Sequence, residues 1–215
     1  MLTAMTETTN PYADVLELTH PPALTPARRQ IERALVDWMR LTGKGPAGIT
    51  VCALAKRAFV ARSTFYKNYA HADAVLDVVE RRILAELRDA GEAMREIALG
   101  GASATESYDA FVRMLHGHED EFRLLLVESP SARFVDRWKR MLGYHFWERL
   151  FVDDDGAPRG QRLRPSTVNR ALVLEMIASA FISGVRFWLT APQRVEIPEI
   201  KALVMRLIQD IDEVW

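Results

Sequence analysis

The sequence has one cysteine, Cys52, in 215 residues. No internal disulfide can form, and a reducing, cytoplasmic setting is the simplest expectation. Long hydrophobic runs are also missing. Charges interrupt every apolar stretch well short of the roughly 18 residues that a membrane span needs, so no membrane partner is expected. The opening MLTAMTETTNPYADVLELTHPPALTP has neither a basic start nor an apolar centre, and no secretory signal is expected. Charge of one sign is lacking too: 28 Lys and Arg face 29 Asp and Glu, a formal net charge of −1. Taken whole, that balance argues against a chain that coats nucleic acid by bulk charge. Signatures of catalysis are absent. The run Gly43–Gly48 (GKGPAG) lacks the GxxxxGK[ST] order of a phosphate loop, and there is no GxSxG, HExxH or dinucleotide fingerprint. No enzyme, catalytic residue or cofactor is implied. No segment alternates with period two beside a turn pair, so strands are not expected.

What is present is 49% hydrophobic and 27% charged, a composition that builds a real core rather than a disordered chain. The near-zero charge conceals an asymmetry. Residues 1–25 carry Glu7, Asp14 and Glu17 and no Lys or Arg. Residues 26–69 carry Arg28, Arg29, Arg33, Arg40, Lys44, Lys56, Arg57, Arg62 and Lys67 against Glu32 and Asp37, a net +7. The remainder is acidic. A compact basic block on an acidic chain suggests an anionic partner for that block alone; a chance cluster on a solvated face is the alternative.

Residues 1–25 show no sustained periodicity and read as a flexible tail. Thr25-Pro26 is a helix start, and Ile31, Ala34, Leu35, Trp38 and Met39 then mark one helical face. A glycine-proline turn follows. Thr50 caps a short helix holding Val51, Leu54, Ala55 and Ala58, and a second short helix runs from Arg62 to about Tyr69. A longer helix begins near Asp73 and extends to Gly100-Gly101. Helical segments follow around Tyr108–Leu115, Phe122–Leu126 and Phe134–Phe151, then a polar loop over 153–160. A nearly all-apolar helix from Ser166 to Leu189 and a last helix opened by Pro198 complete the chain. The fold class is all-α: an N-terminal three-helix helix-turn-helix domain over 26–72, and a helical bundle over 73–215.

Two short helices joined tightly, preceded by a third and holding the local positive charge, are helix-turn-helix anatomy. Phe65 and Tyr69, spaced i and i+4, turn inward. That leaves Arg62, Ser63, Tyr66 and Lys67 on the outer face, with Thr64 at its edge. Arg and Lys bring charge and can bond guanine, while Ser and Thr can bond phosphate or base edges.

The stretch ITVCALAKRAFVARSTFYKNYAHADAVLDVV resembles the DNA-binding motif of the TetR/AcrR family of bacterial transcriptional repressors, over about residues 27–80. It departs from the family pattern at Phe59, where a turn glycine is common, at Ala61, where Ser or Thr often caps the recognition helix, and at Ala72, where Lys is frequent. The resemblance implies base-side roles for Ser63, Thr64 and Lys67, phosphate roles for Thr50, Tyr66 and Asn68, and either role for Arg62. It also implies a homodimer on a near-palindromic double-stranded operator, released by a small-molecule effector that binds in the helical bundle. The alternative is the same DNA-binding fold controlled by a protein partner, or acting as an activator or nucleoid factor.

In the larger domain, a helix apolar on nearly its whole circumference must be covered on two sides; a second subunit is the natural supplier of one of them, and burial inside the monomer is the alternative. Dimer-interface candidates are Met176, Ala180, Gly184, Phe187, Leu203 and Leu207. Aromatic and Met side chains on the middle helices, Phe111, Met114, Phe122, Leu125, Trp138, Met141, His145 and, from the later helix, Phe181, are candidates to line a pocket for a small apolar or aromatic effector; ordinary core is the alternative for each. His116, His118 and Glu119 look metal-like, but residues i and i+2 of a helix face apart, so no metal site is expected.

Overall fold

The computed structural model describes residues 10–99, 112–151, 170–191, 199–200, 202–203 and 206. The expectations for Tyr108, Phe111, Ser166, Pro198, Leu207, the glycines at 100–101 and the loop at 153–160 lie outside these residues. Among the described residues every regular element is helical. The chain divides into two compact units, Leu18–Phe134 and the pair of segments Met1–Glu17 and Val135–Trp215.

In the first unit, helix α1 spans Pro26–Thr42. The Thr25 hydroxyl accepts the Arg28 N–H at 3.3 Å, Pro26 fills the first helical position, and Gly43 ends the helix by giving its N–H to the Met39 carbonyl at 2.8 Å. Helix α2 is Val51–Arg57, α3 is Arg62–Asn68 and α4 is Ala72–Leu99. Ile31, Leu35 and Met39 of α1, Leu54 and Ala55 of α2, Phe65 of α3 and Val75, Val79 and Ile83 of α4 are buried. Each such aliphatic or aromatic side chain contributes about 1.5–3 kcal/mol on leaving water. The α1 helix packs on α2, α3 and α4, so two short helices and two long ones share one core.

A fifth helix, α5, spans Glu119–Arg123 and widens into a π-helical turn over Leu124–Glu128. The sequence pattern suggested ordinary α-helix up to Pro130. Proline has no N–H for the Leu126 carbonyl, and the ladder ends instead through Ser129 N–H to Leu124 O and Ser131 N–H to Leu125 O, each 2.9 Å. Two buried acids tie this unit together. Glu80 is fully buried, accepts from Ser131 Oγ at 2.6 Å and pairs with Arg133 Nε at 2.7 Å. Glu32 is described with the candidate site below.

The second unit holds most of α6 (Ala132–Phe151) and all of α7 (Arg170–Thr190). Trp138 and Phe181 meet edge to face at 6.2 Å, Arg170 lies over the Trp147 ring at 5.7 Å, and Lys139 pairs with Glu175. By length and composition α7 is apolar enough to cross a membrane, although Glu175 and Arg186 lie within it. The stretch read as a flexible tail makes definite contacts from residue 10 onward. Asn10 Nδ2 donates to the Tyr144 carbonyl at 3.0 Å, and Asp14 pairs with Arg140. The Tyr12 ring lies where a Cβ on Gly143 would sit 3.1 Å from it, and Val15 is fully buried in a 3-10 turn over Ala13–Thr19.

His118, part of the tempting HxH, faces two carboxylates. Its Nε2 lies 2.5 Å from Glu86 of α4, and Nδ1 lies 3.8 Å from Glu121. Glu121 and Glu86 stabilise the imidazolium and raise its pKa from 6.5 to about 9. A raised folded-state pKa contributes stability that is complete below the unfolded value and lost as pH rises through about 9. His118→Gln should therefore lower the urea midpoint at about pH 6 and converge on wild type at about pH 10. An equal gap at both pH values would remove the charge from this account.

Candidate nucleic-acid interface

Helix α3 has no side-chain cap, because Ala61 offers no oxygen at its start. Its position is fixed from below instead. Phe65 is fully buried and Tyr69 nearly so, with their rings 6.0 Å apart. The Tyr69 hydroxyl donates to Glu32 Oε1 at 2.6 Å. Arg82 of α4 grips the same carboxylate with both faces of its fork, Nε to Oε2 at 3.1 Å and a terminal nitrogen to Oε1 at 3.0 Å. Burial, and then the bond to Glu32, hold the Tyr69 phenol well above its usual pKa, so it remains a donor. Arg28 of α1 lies over the Tyr69 ring at 5.9 Å.

With that face held down, the opposite face of α3 is open. Arg62, Ser63, Tyr66 and Lys67 are exposed, while Thr64 and Asn68 are half-buried. Tyr66 is 53% exposed yet meets Phe65 edge-on at 5.9 Å, so its ring is braced while its hydroxyl reaches outward. Arg62 lies beside Tyr66 one turn away, and this phenol, followed by the Cys52 thiol, raises the guanidinium's pKa above its ordinary value. The Asn68 amide is partly committed, donating to the Thr64 carbonyl at 2.8 Å. Thr50 caps α2, its hydroxyl accepting the Ala53 N–H at 3.2 Å, and is itself exposed.

The structure therefore brings Arg62, Ser63, Tyr66 and Lys67 to one surface, with Thr64 and Asn68 at its margin and Thr50 on the neighbouring helix. No acidic residue occurs between Asp37 and Asp73, while Arg40, Lys44, Lys56, Arg57, Arg62 and Lys67 all fall there. Sequence reading missed two features of this region. One is His71, whose Nδ1 accepts the Ala74 N–H at 3.1 Å and caps α4; a His two residues before an acidic first turn was the available signal. The other is the exposure of Phe59, flagged in the sequence only as a departure from a turn glycine.

The chain resembles two solved structures. A TetR transcriptional regulator from Streptococcus agalactiae 2603V aligns over 85% of this chain and 93% of its own, with a TM-score of 0.60 and 16% identity. The dihydroxyacetone kinase operon activator DhaS aligns over 88% and 97%, with a TM-score of 0.56 and 13% identity. The fold is TetR-like. No family model and no curated protein sequence matches the chain. Helices α2 and α3 are two short helices joined by a tight turn, the local geometry that the sequence reading expected there.

The effector candidates fall in both compact units. Phe122 and Leu125 are fully buried, and Met114 half-buried, in the first unit. Trp138 and Met141 are buried, and His145 and Phe181 half-buried, in the second. None of these candidates lines either of two clefts found among the described residues. One of about 170 Å³ lies in the second unit among Tyr12, Lys139, Arg140, Gly143 and Glu175. The other, about 810 Å³, lies in the first unit among charged groups that include Arg29, Arg40, Arg82, Glu86, His118 and Glu121. Of the dimer candidates, Met176, Phe187 and Leu203 are exposed and Ala180 is half-buried. Gly184 instead makes room for Ile200 of the same chain, whose methyl occupies the space a Cβ would need.

The Glu32 cluster gives a direct test of how α3 is held. Tyr69→Phe removes one bond to a carboxylate and should cost about 2 kcal/mol of unfolding free energy. Arg82→Met leaves that buried carboxylate without its cation and should cost more, about 3–5 kcal/mol. Equal urea midpoints for Tyr69→Phe and wild type would show that α3 is held by packing alone.

Proposed function

We propose that the chain is a DNA-binding transcription regulator, not an enzyme, that reads a near-palindromic operator as a homodimer. The observation that carries this reading is the exposed face of α3, Arg62, Ser63, Tyr66 and Lys67, pinned from behind by Phe65 and Tyr69 inside a stretch without acidic residues. Both structural neighbours are regulators by name. Residues 26–72 serve as the DNA-binding domain and 73–215 as the ligand-binding and dimerisation domain. Ser63, Thr64 and Lys67 address base edges, Thr50, Tyr66 and Asn68 address phosphates, and Arg62 serves either.

The dimer surface is the outer stripe of α7. Leu172, Met176 and Phe187 are exposed there at helical spacing, with Leu203 exposed nearby in sequence. Apolar side chains of this size lined along one helix suit a two-fold contact with a second copy. A small apolar or aromatic effector would act by shifting the population between operator-competent and incompetent states. The cytoplasm, where the operator is, is the working compartment. Repression is the leading sign of control. Activation is the second reading, favoured by the one neighbour named as an operon activator.

Titration of the protein against its own upstream DNA at several salt concentrations should show specific retardation that weakens steeply with salt. Lys67→Ala should weaken binding about tenfold and relax specificity at the base pair it addresses, leaving the oligomer intact. Absence of retardation at every salt concentration would refute the reading. Light scattering should give twice the chain mass for wild type and a monomer for Met176→Glu combined with Phe187→Glu. A dimer that survives both substitutions would move the interface off this stripe.

A further inference from the structure

The turn between α2 and α3 carries an expensive residue. Phe59 has φ +55°, the one positive φ at a non-glycine among the described residues. Its N–H bonds to the Lys56 carbonyl at 3.2 Å, and the Val60 N–H bonds to the Ala55 carbonyl at 3.0 Å. This paired closure is the Schellman stop, whose left-handed position glycine fills without strain and a bulky residue does not. Strain of this kind is retained where something else compensates for it. Packing within the chain does not compensate here: Phe59 is 92% exposed, more than any other large apolar side chain among the described residues. Lys56, Arg57 and Arg62 around it are exposed cations, and no acid occurs between Asp37 and Asp73. The ring stands three residues before the first residue of α3.

We propose that Phe59 is a DNA-contact residue, whose ring leaves water against apolar groups of the duplex beside the site that α3 reads: deoxyribose carbons or the 5-methyl group of a thymine. Surrounding charge of a single sign suits a polyphosphate backbone better than the mixed surface of a protein. Methyl contact would make Phe59 a specificity residue, since phenylalanine against the thymine methyl is an established form of readout. The inference rests on the reading of α3 as the recognition helix.

Phe59→Gly separates the ring from the fold, because it relieves the left-handed strain as it removes the contact. Its melting temperature should rise, while its affinity for the upstream duplex falls about tenfold, the scale of burying part of a phenyl ring. The salt slope should stay that of wild type, since no charge is lost. Phe59→Leu, which keeps an apolar group, should recover part of the affinity. Replacing each thymine of the footprint by uracil in turn then identifies the partner atom. A replacement that weakens wild type and leaves Phe59→Gly unaffected supports the methyl; a loss in Phe59→Gly that no replacement mimics supports the deoxyribose. Wild-type retardation with equal binding by Phe59→Gly would overturn the inference while leaving the α3 reading intact, and loss of a protein partner alone would overturn it equally. A wild-type protein that binds no duplex at any salt concentration would end both.

Discussion

A single carboxylate organises the region that is proposed to meet DNA. Glu32 lies buried on α1, where an isolated charge would be costly. Its two oxygens are shared between the Tyr69 hydroxyl, just past the end of α3, and the fork of Arg82 on α4. Apolar contacts between short helices tolerate sliding and rotation, since one aliphatic neighbour serves nearly as well as another. A carboxylate with two directional partners does not. The cluster therefore contributes more to the angle of α3 than to net stability, as expected when desolvation of buried charge offsets much of its attraction. Glu80 repeats the device with Ser131 and Arg133 elsewhere in the same unit.

The features legible in the sequence are those with local causes. Thr25, Thr50 and Gly43 mark helix ends through bonds to residues three or four positions away, and those ends stand where the pattern put them. The inward turn of Phe65 and Tyr69 followed from helical spacing alone, and with it the outward face of α3. Glu32 and Arg82 are 50 residues apart, and Glu80 and Arg133 are 53 apart. No local pattern announces such partners. The π-helical turn was hidden for a related reason: Leu124, Leu125 and Leu126 satisfy α-helical periodicity, and only the backbone shows the wider bonding before Pro130.

Phe59 lies between these cases. Its departure from glycine was visible as a letter, but the sequence alone cannot say whether a phenylalanine there folds back onto the core or stands in solvent. The structure gives the second answer. The candidate effector residues are a third case. Aromatic and Met side chains marked apolar interior correctly, yet a packed core and a pocket wall draw on the same residue types. Phe122 and Leu125 belong to one compact unit, Trp138 and Met141 to the other.

The anchoring of Asn10, Tyr12 and Asp14 bears on how the protein comes into being. Asn10 donates to Tyr144, 134 residues further along, and Tyr12 lies on Gly143. The unit that holds these contacts is thus interrupted by the whole of the other one. During synthesis residues 10–14 wait for partners made about 130 residues later, while residues 18–134 have their own core available meanwhile. The order of translation is then not the order of completion: residues 18–134 can finish folding before residues 10–14, which precede them, find their partners.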